Sequence, residues 1–203
     1  MDQKDIITHE SALEMLLEGN ERYQSGGTCS SNPCPSTISL DSGQSPFAAF
    51  IRCADSRVAP EIVFDQPLGS LFVCGVAGNI PTAEIVASLE YAIAALGTKL
   101  IVIMGHSSCG AVTAALADEN ARRSLPGGLP ALVERIHRCT TDLDMDSETA
   151  LDDAIAKNAC SAIDQLLDMS KVISGLVETR EVQVIAGVEN LKNGRFDIVR
   201  RAF

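Results

Sequence analysis

Leu100-Ile101-Val102-Ile103-Met104, followed without a break by Gly105-His106-Ser107-Ser108-Cys109-Gly110, decides the fold of this 203-residue chain. The apolar run is too short for a helix, rich in β-branched residues and closed by glycine, which reads as a strand covered on both faces. The same pattern recurs upstream. Phe47-Ala48-Ala49-Phe50-Ile51 runs towards Cys53-Ala54-Asp55-Ser56-Arg57, and Leu71-Phe72-Val73-Cys74 is a further apolar segment. Between the second and third segments, Thr82 to Leu96 reads as a helix with Ile85, Leu89, Ala92, Ile93 and Leu96 on one side. Strand, helix, strand in that order implies a parallel crossover. Parallel strands share a direction, so Cys53 and His106 leave the sheet on one carboxyl edge, where open α/β sheets hold their ligands.

Outward from this centre the pattern is simpler. Thr8 to about Gln24 reads as a helix with Leu13, Leu16, Leu17 and Tyr23 forming a stripe, ended by Ser25-Gly26-Gly27. A loop rich in Ser, Pro, Gly and Thr follows, to Pro46. Ala111 to Leu116 is helical, Asp118 to Ala150 is polar and irregular, and Leu151 to Leu167 is a helix. Val182 to Val188 is a strand, Lys192-Asn193-Gly194 a turn, and Phe196 to Val199 a last strand. The expected architecture is one α/β domain over residues 1–203, with a mainly parallel central β-sheet flanked by helices. Residues 1–27 form an N-terminal helical arm and residues 118–150 a variable surface excursion.

Composition narrows the function classes. Hydrophobic residues make up 46% of the chain, with two Tyr, six Phe and no Trp, so the core is aliphatic and no aromatic platform for nucleobases is available. A net charge of -11 argues against nucleic acid and anionic membrane surfaces as partners. Met1-Asp2-Gln3-Lys4-Asp5 is not a signal-peptide start, and no apolar run reaches membrane-spanning length. The expected location is cytoplasmic, with an organellar location after removal of a transit peptide left open. Seven cysteines, an odd number, suit free thiols or metal ligands in a reducing compartment. Cys74 and Cys160 read as small packing residues. Cys29 and Cys34 flank Ser-Ser-Asn-Pro but lack further ligands nearby, and Cys139 has no evident role. His9 and His137 fall in polar helical segments and read as surface residues.

Two thiolates and one imidazole, from Cys53, His106 and Cys109, supply three of the four ligands that zinc takes. A site with three protein ligands and one exchangeable position is a catalytic zinc site, whereas structural sites are filled by protein. One zinc per chain is expected. His106 and Cys109 point the same way if Ser107 or Ser108 opens the following helix. Asp55 and Arg57 stand two and four residues after the first cysteine, a charged pair beside the metal.

Cys53-Ala-Asp-Ser-Arg with His106-Ser-Ser-Cys-Gly resembles the β-class carbonic anhydrases. The likeness also includes Leu17-Glu18-Gly19-Asn20-Glu21-Arg22, Gly43-Gln44-Ser45-Pro46-Phe47 and Val58-Ala59-Pro60-Glu61. It continues through Ala77-Gly78-Asn79 and Ser88-Leu89-Glu90-Tyr91-Ala92, and weakens between about Asp118 and Ala150. The resemblance implies reversible hydration of carbon dioxide to bicarbonate and a proton, by attack of a zinc-bound hydroxide. It assigns Cys53, His106 and Cys109 to the metal and Asp55 and Arg57 to catalysis. Gln44, Phe72, Ala77, Gly78 and Tyr91 go to the substrate pocket, with Tyr91 reaching in from a partner subunit. It further implies a homodimer or a larger assembly of dimers. Two departures stand out. Members that close their site on binding bicarbonate carry Trp and Arg where this chain has Phe50 and Gly75, so an open site at neutral pH is expected, with Asp55 bonded to Arg57. Glu189-Asn190 stands where an aromatic often precedes the final turn.

Other readings remain at this point. A hydrolase of carbonyl sulfide or carbon disulfide would use the same ligands, and a non-catalytic, zinc-stabilised interaction protein would need neither Asp55-Arg57 nor Gln44. Thiol redox chemistry is disfavoured, because no Cys-x-x-Cys occurs.

Overall fold

Side-chain alternation along the strands sorts the core into two faces in the computed structural model, which describes residues 7–27 and 40–203. Strands β1 (Ala48–Arg52), β2 (Leu71–Gly75), β3 (Leu100–His106), β4 (Gln183–Glu189) and β5 (Phe196–Ala202) form one sheet in the order β2-β1-β3-β4-β5. The first four are parallel, and β5 runs antiparallel to β4. Successive side chains of a strand point to opposite faces. Ala48, Phe50, Leu100, Val102, Met104 and Ile185 therefore meet helix α1 (His9–Ser25) on one face. Ala49, Ile51, Ile101, Ile103, Val184 and Ala186 point to the other face. There they meet helices α3 (Ala83–Ala94), α7 (Ala150–Met169) and α8 (Lys171–Glu178). A short helix α2 (Pro60–Val63) follows β1.

Local signals account for the helix ends. Thr8 and Ser11 form a reciprocal capping box at the start of α1, and Gly26 closes it with φ 73°. Thr82 caps α3 and Ser170 caps α8 through their hydroxyls. Helix α8 has no counterpart in the sequence reading. It forms because Ser170 breaks the long helix in an extended conformation and re-caps the chain, which buries Ile173 and Val177.

The stretch 118–150 differs from the expected irregular excursion. It folds into α5 (Glu119–Arg123) and α6 (Leu129–His137), after α4 (Gly110–Ala115). Leu132, Val133 and Ile136 recur at helical spacing and pack with Val112, Ala115 and Ile155 in a third apolar cluster at the carboxyl edge of the sheet. The polar residues between them had masked that stripe. Cys29 and Cys34 lie outside the described residues. No helix among the described residues is long and apolar enough to cross a membrane.

The antiparallel edge strand is tied down by a fork: Arg200 donates to both oxygens of Asp164 on α7, each at 2.6 Å. Arg200 holds the Asp164 carboxyl below the usual carboxylate range. Because that value is lowered, the pair contributes stability above the unfolded value of about 4 and loses it as pH falls through the folded one. Both groups are more than a third exposed, so Asp164→Asn is expected to cost only about 0.5 kcal/mol at pH 7. Urea unfolding at pH 7 and at pH 3 checks this, since the difference from wild type must shrink in acid.

Candidate metal centre

The carboxyl ends of the parallel strands deliver every group of the site. Cys53 is the first residue after β1. The hydrogen-bond ladder between β1 and β2 continues past the strand ends, with Val76 N on Arg52 O at 3.1 Å and Ala54 N on Val76 O at 3.2 Å. His106 is the last residue of β3, two positions further than the expected strand end, and pairs in register with Glu189. Cys109 is reached by a turn rather than by the expected helix opening. Ser107 donates from its amide to Glu189 O at 2.8 Å, and its hydroxyl accepts from Leu191 N at 3.0 Å. Ser108 then adopts φ 56°, a left-handed conformation that reverses the chain, and Cys109 becomes the N-cap of α4.

Cys53, His106 and Cys109 are all buried, and their ligand atoms lie within 4.8 Å of one another. The two sulfurs are 3.9 Å apart. Two thiolates each about 2.3 Å from a tetrahedral zinc stand about 3.8 Å apart, so the spacing fits that ion. His106 Nδ1 lies 3.0 Å from Ser107 O, which assigns the proton to Nδ1. That leaves Nε2 as the ligand atom, and it is buried with no hydrogen-bond partner among the described residues. A soft S,N,S donor set with one orphaned imidazole nitrogen suits zinc.

Protonation in the metal-free protein follows from the same contacts. A hydrogen bond from Cys109 lowers the Cys53 thiol, helped by His106 and the Gly78 amide and opposed by burial. Cys109 is pushed up by its bond to Cys53 and by burial. Metal binding needs both sulfurs deprotonated, so uptake releases protons and strengthens as pH rises.

Asp55 and Arg57 form the expected fork. Arg57 Nε donates to Oδ1 at 2.9 Å and Nη2 to Oδ2 at 2.8 Å, while its backbone amide donates to Oδ1 at 3.0 Å. Arg57 holds the Asp55 carboxyl well below the usual carboxylate range, against the effect of partial burial. Asp55 Oδ2 stands 3.9 Å from His106 Nε2, so the ionised group borders the metal position.

The residues expected to line a substrate pocket are less uniform. Gly78 is buried in the Ala77–Asn79 turn and directs its amide to Cys53 Sγ at 3.3 Å. Ala77 is half-buried beside it. Phe72 packs against the face of the sheet that carries α3, and Tyr91 sits against it with ring centroids 6.3 Å apart and 52% of its surface exposed. Gln44 is exposed on the segment leading into β1.

The departures in sequence acquire physical reasons. Phe50 is fully buried against Phe64 in the core beneath α1 and does not face the site. Gly75 pairs with Arg52 across β1 and β2, and a Cβ there would stand 3.3 Å from the guanidinium carbon. Glycine at this position leaves room for Arg52 to lie over it and donate to Cys53 O at 2.7 Å. Glu189, for which the sequence offered no role, is a buried carboxyl whose Oε2 has no hydrogen-bond partner among the described residues. Burial pushes it up to about 7, with His106 and Arg57 pulling it down and Asp55 pushing it up. An acid at the end of an otherwise apolar strand was the signal available for it.

Comparison with known proteins agrees with this geometry. The family model described as carbonic anhydrase matches residues 48–196. Carbonic anhydrase 2 of Mycobacterium tuberculosis is similar at 36% identity, with 91% of this chain and 90% of that protein covered. The carbonic anhydrase of Mycolicibacterium smegmatis is 32% identical over 93% of this chain and 92% of its own length. Among solved structures, a β-carbonic anhydrase of the ascomycete Sordaria macrospora, described as tetrameric, superposes with a TM-score of 0.72. At 24% identity, covering 81% of this chain and 86% of that one, it supports the fold alone.

Proposed function

This chain belongs to the β-class carbonic anhydrase family, and from that membership we propose that its reaction is the reversible hydration of carbon dioxide to bicarbonate and a proton. The observation that carries the reading is the Asp55–Arg57 fork standing 3.9 Å from His106 Nε2. A zinc ion that merely braced the fold would need no such pair. When bound, zinc supplies a Lewis acid that brings water's pKa down to about 7.

The chain's own residues would act around it. Cys53, His106 and Cys109 hold the metal, and two thiolates balance its charge. Asp55, kept ionised by Arg57, can only accept hydrogen bonds. It would accept one from the oxygen that attacks and so orient it towards the substrate carbon. Arg57 acts as a rigid two-point donor that a lysine could not replace. Because both Asp55 oxygens are already engaged by Arg57, the site stays open at neutral pH. A crystal grown near pH 7 with an Asp55 oxygen at zinc-bonding distance would contradict that part.

We assign Gln44, Phe72, Ala77, Gly78 and Tyr91 to the substrate pocket, completed across a homodimer or larger assembly. The exposure of Gln44 and of Tyr91 against Phe72 in the single chain supports a partner surface covering them. The tetramers described for the Sordaria macrospora proteins are consistent with it. Carbonyl sulfide and carbon disulfide are linear molecules open to the same attack, so the deciding experiment compares substrates. Stopped-flow hydration of carbon dioxide is measured beside sulfide release from carbonyl sulfide on one zinc-loaded sample. Fast hydration with slow sulfide release is expected, and the reverse order would transfer the activity to the sulfide substrates.

A further inference from the structure

Helix α7 carries an apolar face of Ala154, Ile155, Ala159, Ala162 and Ile163 into the core, interrupted by one amide, Asn158, which is only 1% exposed. Burying an amide there costs free energy that an alanine would not. Its Oδ1 has no hydrogen-bond partner among the described residues. Its Nδ2 has one: the carbonyl of Gly78, at 2.8 Å and eighty residues away in sequence.

Gly78 sits in the Ala77–Asn79 turn at φ 74°, one of the several backbone conformations open to glycine at little cost, so glycine by itself does not hold the turn. No side chain caps the turn. It is held from two sides instead. The Gly78 amide points at Cys53 Sγ, 3.3 Å away, and Asn158 fixes the carbonyl on the other side of the same Cα. Ile136 of α6 walls the turn, since a Cβ on Gly78 would stand 2.4 Å from its Cδ1. Arg135, next to it, donates to Pro81 O at 2.6 Å. Helices α6 and α7 thus clamp a glycine turn that aims an N–H at a metal-ligating sulfur.

We propose that Asn158 is a positioning residue for the metal centre, which locks Gly78 so that its N–H stays on the Cys53 sulfur. This rests on the zinc site argued above but not on the identity of the substrate. An N–H···S bond draws charge from the sulfur and holds its lone-pair direction, the kind of support that outer hydrogen bonds give to metal ligands. Without Asn158 the glycine relaxes, the sulfur loses its donor, and the metal is held less firmly.

The test uses Asn158→Leu, which keeps the branching and the number of heavy atoms, removes the donor and also removes the unpartnered Oδ1. Asn158→Ala is the second variant, and Ile163→Ala is a control that opens the same helix in a core cluster holding none of the metal ligands. Three quantities are read on each folded protein: zinc affinity by chelator competition, the sulfur-to-cobalt charge-transfer band of the Co²⁺ form, and amide exchange at Gly78. The expected result for both Asn158 variants is a loss of zinc affinity of about tenfold or more, a shifted cobalt band and faster Gly78 exchange. Ile163→Ala should lower the melting temperature and leave the cobalt band in place. Wild-type affinity and exchange in Asn158→Leu, or the same changes in Ile163→Ala, would overturn the proposal. Failure of the wild type itself to bind zinc would instead remove the functional reading beneath it. If Asn158→Leu does not fold, Asn158→Ala decides by the same readouts.

Discussion

Cys53→Ala is expected to empty the metal centre and to lower kcat/KM by about 10³-fold or more, while leaving the fold in place. Zinc held by three protein ligands loses one of two thiolates, and the remaining sulfur and nitrogen do not make a site that competes with buffer. The metal's Lewis acidity is worth several kcal/mol in the transition state, and about 1.4 kcal/mol is a factor of ten in rate. The fold should survive because its core lies elsewhere. The two large clusters sandwich the sheet between α1 on one face and α3, α7 and α8 on the other, and Cys53 belongs to neither. His106→Ala should behave alike, since Nε2 is a buried nitrogen with no other partner among the described residues. Metal content by elemental analysis, stopped-flow hydration and far-UV circular dichroism on the same samples check the three parts. Full activity in either variant would take the metal out of the mechanism.

Asp55→Asn should keep zinc yet reduce turnover by about 10²-fold, at the lower end of what a positioned proton acceptor contributes. The amide presents an NH2 group where Arg57 already presents donors, so one arm of the fork at 2.8–2.9 Å becomes a donor facing a donor. The side chain then turns away, and the acceptor beside His106 is lost. Unchanged zinc content with a large fall in kcat is the expected signature. The wild-type pH profile adds a check. Arg57 holds Asp55 below the usual carboxylate range, so this group stays ionised throughout the neutral range. Its contribution is present above about pH 4 and lost only as pH falls through its lowered folded value. A neutral-pH limb that vanished in Asp55→Asn would mean that Asp55 titrates where the fork forbids it.

How much of this was legible in the sequence depends on the residue. The three apolar runs were legible as parallel strands, because continuous burial on both faces leaves no polar position in them. The strand ends moved by one or two residues, and at β3 the shift mattered: His106 belongs to the strand and inherits Glu189 as a register partner. The metal ligands were legible from residue type and from the rule that parallel strands open on one edge. The route between His106 and Cys109 was not, since nothing in Ser107-Ser108 marks a left-handed serine. Helix α6 was hidden by charged residues between its apolar positions. The bond from the Gly78 amide to Cys53 had no local signal either. Asn158 had no local signal at all, because its partner is eighty residues away.

By itself the amino-acid order determined which chemistry is possible: two sulfurs and an imidazole for a metal, an acid and a guanidinium two residues apart to flank it, and continuous apolar runs that must pair edge to edge. Residue type and short-range spacing carry that information, since donor chemistry and strand period are local properties. The tertiary structure alone decided which groups support the ligands. Strand register set Glu189 against His106, a glycine at position 75 made room for Arg52, and the docking of α6 and α7 fixed the Gly78 turn. Those contacts join segments far apart along the chain, and they exist only after the core has closed and fixed the distances between them.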